Sequence, residues 1–298
     1  MTKKIIVRMA AGLGNQMFMY ANALALSKTY KMDLLIDNES GFFQKKNQSF
    51  RRFYFLHFFS ISGKICSNKQ KYNNHLKHIK RKILIFFNNL FNKFYIEKKN
   101  KEKITSFNQI KINSNKDIFI EGYFQSEKYF SNFKNELFNE FSVKKEYITE
   151  NAFIKNELLN SNSVSIHVRR GRFGDEKNFY SGIPNIKNDA YLEQSLEYIF
   201  RGVEFFKKKI KNPKFFLWSN NFDGLDTYFD DQFYFLKKFD EINHFNLFKY
   251  SKHFIVSPST FHWWGAWLNP NPDKICTYPK DINPTNNIDF WPNNWIKI

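Results

Sequence analysis

Short apolar runs alternate with stretches of helical spacing at both ends of the chain, and this pattern predicts two α/β units. The first unit opens with a β-rich run at 3–8, passes through small residues at 10–15 into helical spacing at 16–31, and reaches a second strand at 33–37. Strand, loop, helix and strand in this order indicate a parallel sheet. The polar and aromatic segment 40–116 has weak periodicity, and we expect helical insertions and loops there.

The second unit begins with strict alternation over 163–168, which puts apolar side chains on one face and Ser163, Ser165 and His167 on the other. The remaining strands predicted for this unit are 214–219, 253–257 and 274–278. Two doubly wound halves follow, with ligands expected beyond the carboxyl ends of the strands and in a cleft between the halves. We place the domains at 1–158 and 159–298.

The composition of the chain is strongly basic. The 298-residue chain has a formal net charge of +18, and the segment 64–103 carries twelve Lys or Arg against two Glu, which is +10 of that total. Nucleic acid, an acidic substrate and an anionic membrane surface all fit such a charge. Apolar residues interleaved at 83–95 favour a basic amphipathic helix on a membrane surface. A helix packed on the core with a solvated basic face is the alternative.

Hydropathy and cysteine content bear on location. The sequence has no apolar run of about 20 residues, and its first residues lack the apolar region of a signal peptide. Cys66 and Cys276 form no disulfide framework and no metal motif, which suits a reducing compartment. We expect a cytoplasmic protein, with peripheral attachment to the inner face of the membrane as a second expectation.

Three loops carry candidate chemistry, and the first follows the first strand. Gly12 and Gly14 allow a ligand to approach the backbone closely, and Asn15 stands at the start of a helix whose free N–H groups favour anions. The glycine spacing fits neither a dinucleotide fingerprint nor a P-loop. A tight strand–helix turn is the alternative.

The second loop holds adjacent arginines, Arg169 and Arg170, directly after the strand that ends near His167. Charges at a buried strand end are costly unless an anion meets them. A guanidinium pairs bidentately with phosphate and would neutralise a departing diphosphate without a metal. A basic surface turn is the alternative.

The third loop follows the strand 253–257. Ser257 ends that strand, and either Ser259 or Thr260 is placed to cap the next helix, so hydroxyls and free N–H groups together form an anion site. We expect the tryptophans within 263–267 to belong to the core, with Gly265 allowing close packing.

A weaker candidate is Ser219-Asn220-Asn221, where another strand ends. These polar side chains could contact a base edge, and an ordinary turn is the alternative. The sequence has no Asp-x-Asp motif typical of metal-dependent nucleotide-sugar sites, and we expect neither a metal nor another cofactor.

Taken in order, these motifs resemble a known family. The segments 12–21 (GLGNQMFMYA), 121–130 (EGYFQSEKYF), 167–171 (HVRRG) and 257–268 (SPSTFHWWGAWL) are similar, in order and spacing, to the bacterial α-1,2-fucosyltransferases of glycosyltransferase family eleven. The resemblance covers nearly the whole chain. It implies an α/β, GT-B-like fold with two Rossmann-type domains facing a central cleft.

The resemblance implies inverting transfer of L-fucose from GDP-fucose to a glycan hydroxyl, O2 of a terminal galactose. Domain 1–158 would be the acceptor side, with a basic helical insertion near 64–103, and domain 159–298 would bind the nucleotide sugar. The expected partners are GDP-fucose, a glycan acceptor that includes lipid-linked candidates, and an anionic membrane surface, but not nucleic acid. The alternatives are transfer of another nucleotide sugar on the same fold and a non-enzymatic basic module.

The resemblance also implies residue roles. Arg169 would hold the departing diphosphate with support from His167. No general base is evident from the resemblance, and the candidates are Asp175 and Glu176, with His262 behind them, because all could stand near the cleft. The remaining expected donor contacts are Gly14, Asn15, Arg170, Ser219, Asn220, Asn221, Ser257, Ser259 and Thr260. Among the departures from the family pattern, His244 stands where Asp is usual and His262 where a small residue is usual.

Overall fold

The chain folds into two units, each with its own parallel sheet. The computed structural model describes residues 2–43, 53–170 and 186–298, with the side chains of 186–188 not included. Unit 1 comprises Met1–Ser142 and Thr285–Pro292, and unit 2 comprises Val143–Pro284 and Asn293–Ile298. The prediction of two α/β domains is confirmed.

The core of unit 1 is a sheet in which every described strand pair is parallel. In spatial order its strands are β3 (Lys64–Ile65), β2 (Asp33–Asp37), β1 (Lys4–Arg8), β5 (Ile118–Glu121) and β4 (Phe94–Ile96). The central strand reads as a continuous apolar run because both faces of a parallel sheet are covered. Ile5, Ile6 and Val7 are accordingly buried, and Ile6 pairs with Leu35 and Phe119 on the neighbouring strands.

The helices described in unit 1 are α1 (Leu13–Tyr30), α2 (His75–Phe86), α3 (Asn88–Phe91) and α4 (Lys134–Glu140). The basic segment 64–103 differs from the predicted helical insertion, because it also contributes β3 and β4, the two edge strands of the sheet. These strands are two and three residues long. Runs that short carry too little periodicity to be recognised in the sequence.

A segment from near the C-terminus completes unit 1. Phe290 is fully buried, and its ring centroid lies 6.0 Å from that of Phe18 in α1. Thr105 forms an isolated parallel bridge with Asn287, and Lys128 forms an ion pair with Asp289. Unit 1 is therefore built from two stretches of the sequence that are far apart.

Unit 2 contains a second sheet whose described strand pairs are also all parallel. In spatial order its strands are β11 (Ile296–Lys297), β10 (Cys276–Tyr278), β9 (His253–Ile255), β6 (Asn162–Val168), β7 (Pro213–Ser219) and β8 (Phe233–Phe235). The predicted alternation in β6 is confirmed. Val164 and Ile166 belong to the hydrophobic cluster on one face, whereas Ser165 and His167 bond to polar partners on the other.

The helices described in unit 2 are α5 (Ala152–Asn160), α6 (Ile186–Lys209), α7 (Glu241–Phe248) and α8 (Thr260–Trp267). The boundary between the units lies at Ser142/Val143 rather than at 158/159. The reason is that α5 belongs with β6: Leu158 is fully buried, and its carbonyl accepts a hydrogen bond from Ser163 Oγ at 2.6 Å. Within the described ranges, no helix combines the length and hydropathy needed to cross a membrane.

The α8 helix confirms the predicted structural role of its tryptophans. Trp263, Trp264 and Trp267 are all buried, and the rings of Trp263 and Trp267 stack at 5.8 Å. A Cβ at Gly265 would lie 2.3 Å from Phe248 Cδ2 of α7, so only glycine permits this close packing of the two helices.

A buried ion pair joins α2 to the sheet of unit 1. Arg81 Nε donates to Glu121 Oε1 at 2.6 Å, and Arg81 Nη2 donates to the other carboxylate oxygen. The two side chains are only 12% and 8% exposed, so neither charge is well hydrated if its partner is lost.

Replacing Arg81 by methionine should therefore lower the free energy of unfolding by about 3–5 kcal/mol, because Glu121 would remain buried without its cation. The matched control is Lys80→Met, which removes an exposed charge from the neighbouring position and should change stability by less than about 0.5 kcal/mol. Chemical denaturation of both variants measures the difference. Equal denaturation midpoints would show that the pair contributes nothing.

Candidate functional site

The predicted motifs lie where the strand order reverses in each sheet. In unit 2 the chain runs from β6 to β7 and β8 on one side, and then crosses to β9 on the other side of β6. Ligands of such sheets bind in the crevice outside the carboxyl ends of the strands at this switch point. Arg169 and Arg170 follow β6, and 257–260 follows β9, so the structure brings these two predicted motifs to one crevice.

Two histidines and two serines connect the strands that border this crevice. His262 Nδ1 accepts a hydrogen bond from the Ser257 N–H at 3.2 Å, which leaves the proton of the neutral ring on Nε2, from where it is donated to Ser165 Oγ at 3.1 Å. His167 Nδ1 lies 3.3 Å from Ser257 Oγ. The network thereby fixes β6, β9 and the start of α8 relative to one another.

Burial keeps both histidines neutral. Desolvation lowers the pKa of His262 to about 3 and the pKa of His167 well below its usual value, with the charges of His262, His244 and Arg169 lowering the latter further. His262 has no exposed surface and uses both ring nitrogens inside the protein. It is therefore not available as a general base. The pKa of His244 is also lowered by burial, and its Nε2 lies 3.0 Å from the Leu236 carbonyl oxygen.

Ser259 is the residue that most directly indicates a ligand. It occupies the N-cap position of α8, yet its hydroxyl makes no capping bond to the helix. The residue is 1% exposed, and Oγ has no hydrogen-bond partner among the described residues. A buried hydroxyl at a helix N-terminus, beside free N–H groups and the positive end of the helix dipole, is suited to an anion. Thr260, half-buried, is the first residue of the helix.

Arg169 and Arg170 are half-buried at the end of β6, and Asn220 holds the turn that contains them. The Arg170 N–H donates to Asn220 Oδ1 at 2.8 Å, and Asn220 Nδ2 donates back to the Arg170 carbonyl at 3.1 Å. The Arg170 guanidinium donates to the carbonyl of Asp223. The Asn220 side-chain amide thus bonds to the backbone of Arg170 and positions this turn.

Ser219 and Asn221 make local bonds of the same kind. Ser219 Oγ accepts from the Asn221 N–H at 3.1 Å and lies 2.8 Å from the Val168 carbonyl oxygen, and Asn221 Oδ1 accepts from the Asp223 N–H at 2.7 Å. These side chains form an ordinary turn that ties the end of β7 to the end of β6. Their contact with a nucleotide stays a prediction.

In unit 1 the strand order reverses between β1 and β5, and the glycine loop lies at that point. Gly14 is buried in the first turn of α1. Asn15 Oδ1 accepts a hydrogen bond from Gln125 Nε2 at 2.7 Å, so the Asn15 NH₂ group is oriented to donate. Gln16 holds the loop, because its Nε2 donates to the carbonyl of Ala11, a residue with a left-handed φ of 62°.

Sequence reasoning missed Glu97, which fixes the loop leading to Gln125. Its buried carboxylate accepts from the N–H groups of Tyr123 at 2.7 Å and Phe124 at 3.0 Å, and burial raises its pKa. Gly122 has φ of 150°, and a Cβ there would lie 2.3 Å from Glu97 Cβ. The one signal in the sequence was Gly122 of the 121–130 motif, because a glycine can mark a position where another residue approaches the backbone closely.

Asp175 and Glu176, the predicted base candidates, lie outside the described residues. Elsewhere in the described part of the chain, no three His, Cys, Asp or Glu side chains gather as metal ligands would. Independence from a metal stays a prediction.

Comparison with known proteins gives a consistent result. The family model of Glycosyl transferase family 11 matches residues 2–296. An alpha-1,2-colitosyltransferase of Escherichia coli is 26% identical over 315 residues, with 99% of this chain and 98% of that protein covered. The O-antigen biosynthesis glycosyltransferase WbnK of Escherichia coli is 27% identical over 314 residues, with 96% and 98% covered.

Among solved structures, the NodZ α-1,6-fucosyltransferase soaked with GDP-fucose is similar in fold. Its TM-score is 0.50 at 16% identity, and the alignment covers 91% of this chain and 94% of that one. At this identity the likeness concerns the fold alone, and it confirms the predicted GT-B-like class.

The neutral histidines predict how stability depends on pH. The unfolded chain binds a proton at His262 below about pH 6.5, whereas the folded chain does not bind one until about pH 3. Stability should therefore fall as the pH drops below 6.5, by up to about 1.4 kcal/mol per pH unit from this residue. Denaturation of His262→Gln between about pH 5 and 6 should show a slope shallower by that amount.

The control for this measurement is His57→Gln, which replaces an exposed histidine and should leave the slope as it is in the unaltered protein. A slope for His262→Gln that equals that of the unaltered protein would contradict the neutral state of the buried ring.

Proposed function

Because the chain belongs to glycosyltransferase family 11, we propose that it transfers L-fucose from GDP-fucose to a hydroxyl of a glycan acceptor, with inversion at the anomeric carbon. The proposed acceptor atom is O2 of a terminal galactose. The 1,2-linkage in the name of the colitosyltransferase relative supports this position, and the O-antigen role in the name of the second relative supports a glycan acceptor.

One observation in the structure supports the proposal most directly, namely the anion site at the switch point of unit 2. Ser259 Oγ is buried at the start of α8, beside the end of β9, and bonds to no residue in the part of the chain that the structure describes. Arg169 and Arg170 follow β6, the neighbouring strand. Unpartnered buried hydroxyls are rare in folded proteins, and a diphosphate oxygen would satisfy this one. We assign the two phosphates of GDP to this crevice.

The chemistry follows from these positions. The acceptor oxygen forms a bond to C1 of fucose while the bond from C1 to the β-phosphate oxygen breaks, and the electron pair leaves with GDP. The Arg169 guanidinium stabilises the charge that grows on the departing diphosphate. The acceptor proton passes to a base, for which Asp175 and Glu176 stay the candidates. The neutral His167 contributes hydrogen bonding without adding charge.

In unit 1 we propose Asn15 as a donor to a substrate oxygen. Gln125 occupies its carbonyl oxygen, so the amide presents N–H groups. Glu97 fixes the loop that carries Gln125. This arrangement pre-organises Asn15 before any substrate arrives, which reduces the entropy lost on binding.

A nucleotide-activated form of colitose is a second candidate donor, because one relative is named a colitosyltransferase. Colitose is a sugar close to fucose. The proposed phosphate site contacts only the diphosphate, so it does not distinguish the two nucleotide sugars. Discrimination between them rests on contacts to the sugar ring.

Activity is tested by incubating the protein with GDP-fucose and a panel of defined galactosides, followed by product analysis. Arg169→Ala should lower the turnover rate by about 10²–10³-fold, because a charge that stabilises the transition state is lost. The matched control Arg201→Ala removes an exposed arginine of α6 and should retain full activity. No product from the unaltered protein with any acceptor, or an unchanged rate in Arg169→Ala, would refute the proposal.

The phosphate site is tested separately by Ser259→Ala. Removing an unsatisfied hydroxyl should raise the stability of the free protein by about 1 kcal/mol, while GDP affinity falls by about tenfold because a hydrogen bond to phosphate is lost. Thermal shift and calorimetry measure the two effects.

Ser251→Ala is the matched control for this experiment. Its Oγ is also buried without a partner in the described ranges, but Ser251 precedes β9 and so lies at the opposite edge of the sheet. It should show the gain in stability without the loss of GDP affinity. Equal GDP affinity in both variants, or protection by UDP but not by GDP, would contradict the assignment.

A further inference from the structure

The α2 helix of unit 1 packs on the protein through both apolar and charged side chains. Leu84 and Ile85 contact the hydrophobic cluster that includes Tyr72 and Phe119, and Arg81 forms the buried ion pair with Glu121. Asn74 caps the helix by accepting the Lys77 N–H at 3.0 Å. These contacts fix which side of α2 faces the protein, and the opposite side faces solvent.

That solvent-facing side is apolar. Leu76 is 80% exposed, Ile79 55%, Ile83 52% and Phe86 81%. At about 100° per residue these four fall within about a quarter of the helix circumference. Leu90 of α3, 74% exposed, follows along the chain. We call these five residues the apolar face, and soluble proteins rarely expose contiguous apolar side chains in this way without a partner.

Lysines border the apolar face on both sides. Lys80 and Lys82 are exposed and lie about 40° beyond either edge of the stripe on α2. Neither forms an ion pair among the described residues. Lys71 and Arg81, by contrast, are paired with Glu39 and Glu121. Two lysines without an ion pair among the described residues thus border the apolar face.

The segment that carries α2 and α3 contributes no acidic residue of its own. The sequence from Lys64 to Ile96 contains neither Asp nor Glu, and the wider segment 64–103 carries +10. A second copy of the chain would bring two such segments together, and like charges facing each other oppose association. An apolar stripe bordered by lysines instead suits the interface of an anionic bilayer, where the apolar side chains enter the acyl region and the lysines reach the head groups.

We propose that the apolar face docks on an anionic lipid surface, with α2 lying in the plane of the membrane and Lys80 and Lys82 contacting the head groups. The site is distinct from the residues assigned to sugar transfer and does not depend on them. Of the two alternatives for this helix, packing on the core is seen through Leu84 and Ile85, but the exposed side of α2 is apolar rather than a solvated basic face. The membrane surface stays a proposal.

Flotation of the full chain with vesicles tests the proposal. The protein should bind vesicles of phosphatidylglycerol and phosphatidylcholine more tightly than vesicles of phosphatidylcholine alone. Added salt should weaken the binding without abolishing it, since salt screens the charges but not the insertion of apolar side chains.

Leu76→Ser, Ile83→Ser and Phe86→Ser combined should weaken partitioning by at least about 100-fold, because three inserted side chains are lost. Lys80→Gln with Lys82→Gln should weaken binding to the anionic vesicles by about tenfold or more and leave binding to phosphatidylcholine unchanged. All these side chains are already exposed, so the thermal melting temperature should be retained.

Phe153→Ser with Leu159→Ser is the matched control, since these α5 side chains are 68% and 44% exposed and lie in unit 2. Its partitioning should equal that of the unaltered protein.

Three results would overturn the proposal. The first is no binding of the unaltered protein to the anionic vesicles. The second is a dimer in sedimentation equilibrium without lipid that the triple serine variant abolishes, which would make a second copy the occupant. The third is vesicle binding that the triple serine variant leaves intact and that salt or heparin removes fully, which would mean that charge alone is recognised.

Discussion

Parallel pairing of the strands is the constraint from which the site follows. In each unit every described strand pair runs in the same direction, so the carboxyl ends of all strands meet at one edge of their sheet. Residues separated by many positions along the chain become neighbours there, as His167 and Ser257 do in unit 2. Where the strand order reverses, the connections that follow two neighbouring strands, such as β6 and β9, run to opposite sides, and a crevice forms between them at that edge.

The buried polar side chains next to the crevice keep this edge rigid. His262 and Ser257 form a hydrogen bond between the start of α8 and the end of β9. The Asn220 side chain bonds to the backbone of Arg170 in the turn after β6. Each of these side chains forms a hydrogen bond with a neighbour, whereas Ser259 Oγ forms none with any described residue. The contrast distinguishes the residues that hold the loops from Ser259, for which we propose a ligand. Such a difference arises from three-dimensional packing and has no counterpart in the sequence pattern.

The sequence predicted the features that depend on local periodicity and missed those that depend on distant partners. The alternation over 163–168 predicted both faces of β6, and the helical spacing of the tryptophans predicted the buried α8. The edge strand β3 was missed because its pairing with β2 is set by tertiary contacts. Glu97 was missed for a related reason: it serves backbone groups of Tyr123 and Phe124, which lie more than twenty residues away.

The return of 285–292 to unit 1 limits how this protein can be divided or recombined. A fragment that ended at Ser142 would lack Phe290, which fills the space against Phe18, and would expose the apolar surface beneath it. Exchange of one unit between homologues would likewise have to carry both segments together. A substitution in 285–292 therefore acts on the packing of the N-terminal unit, although it lies far from that unit in the sequence.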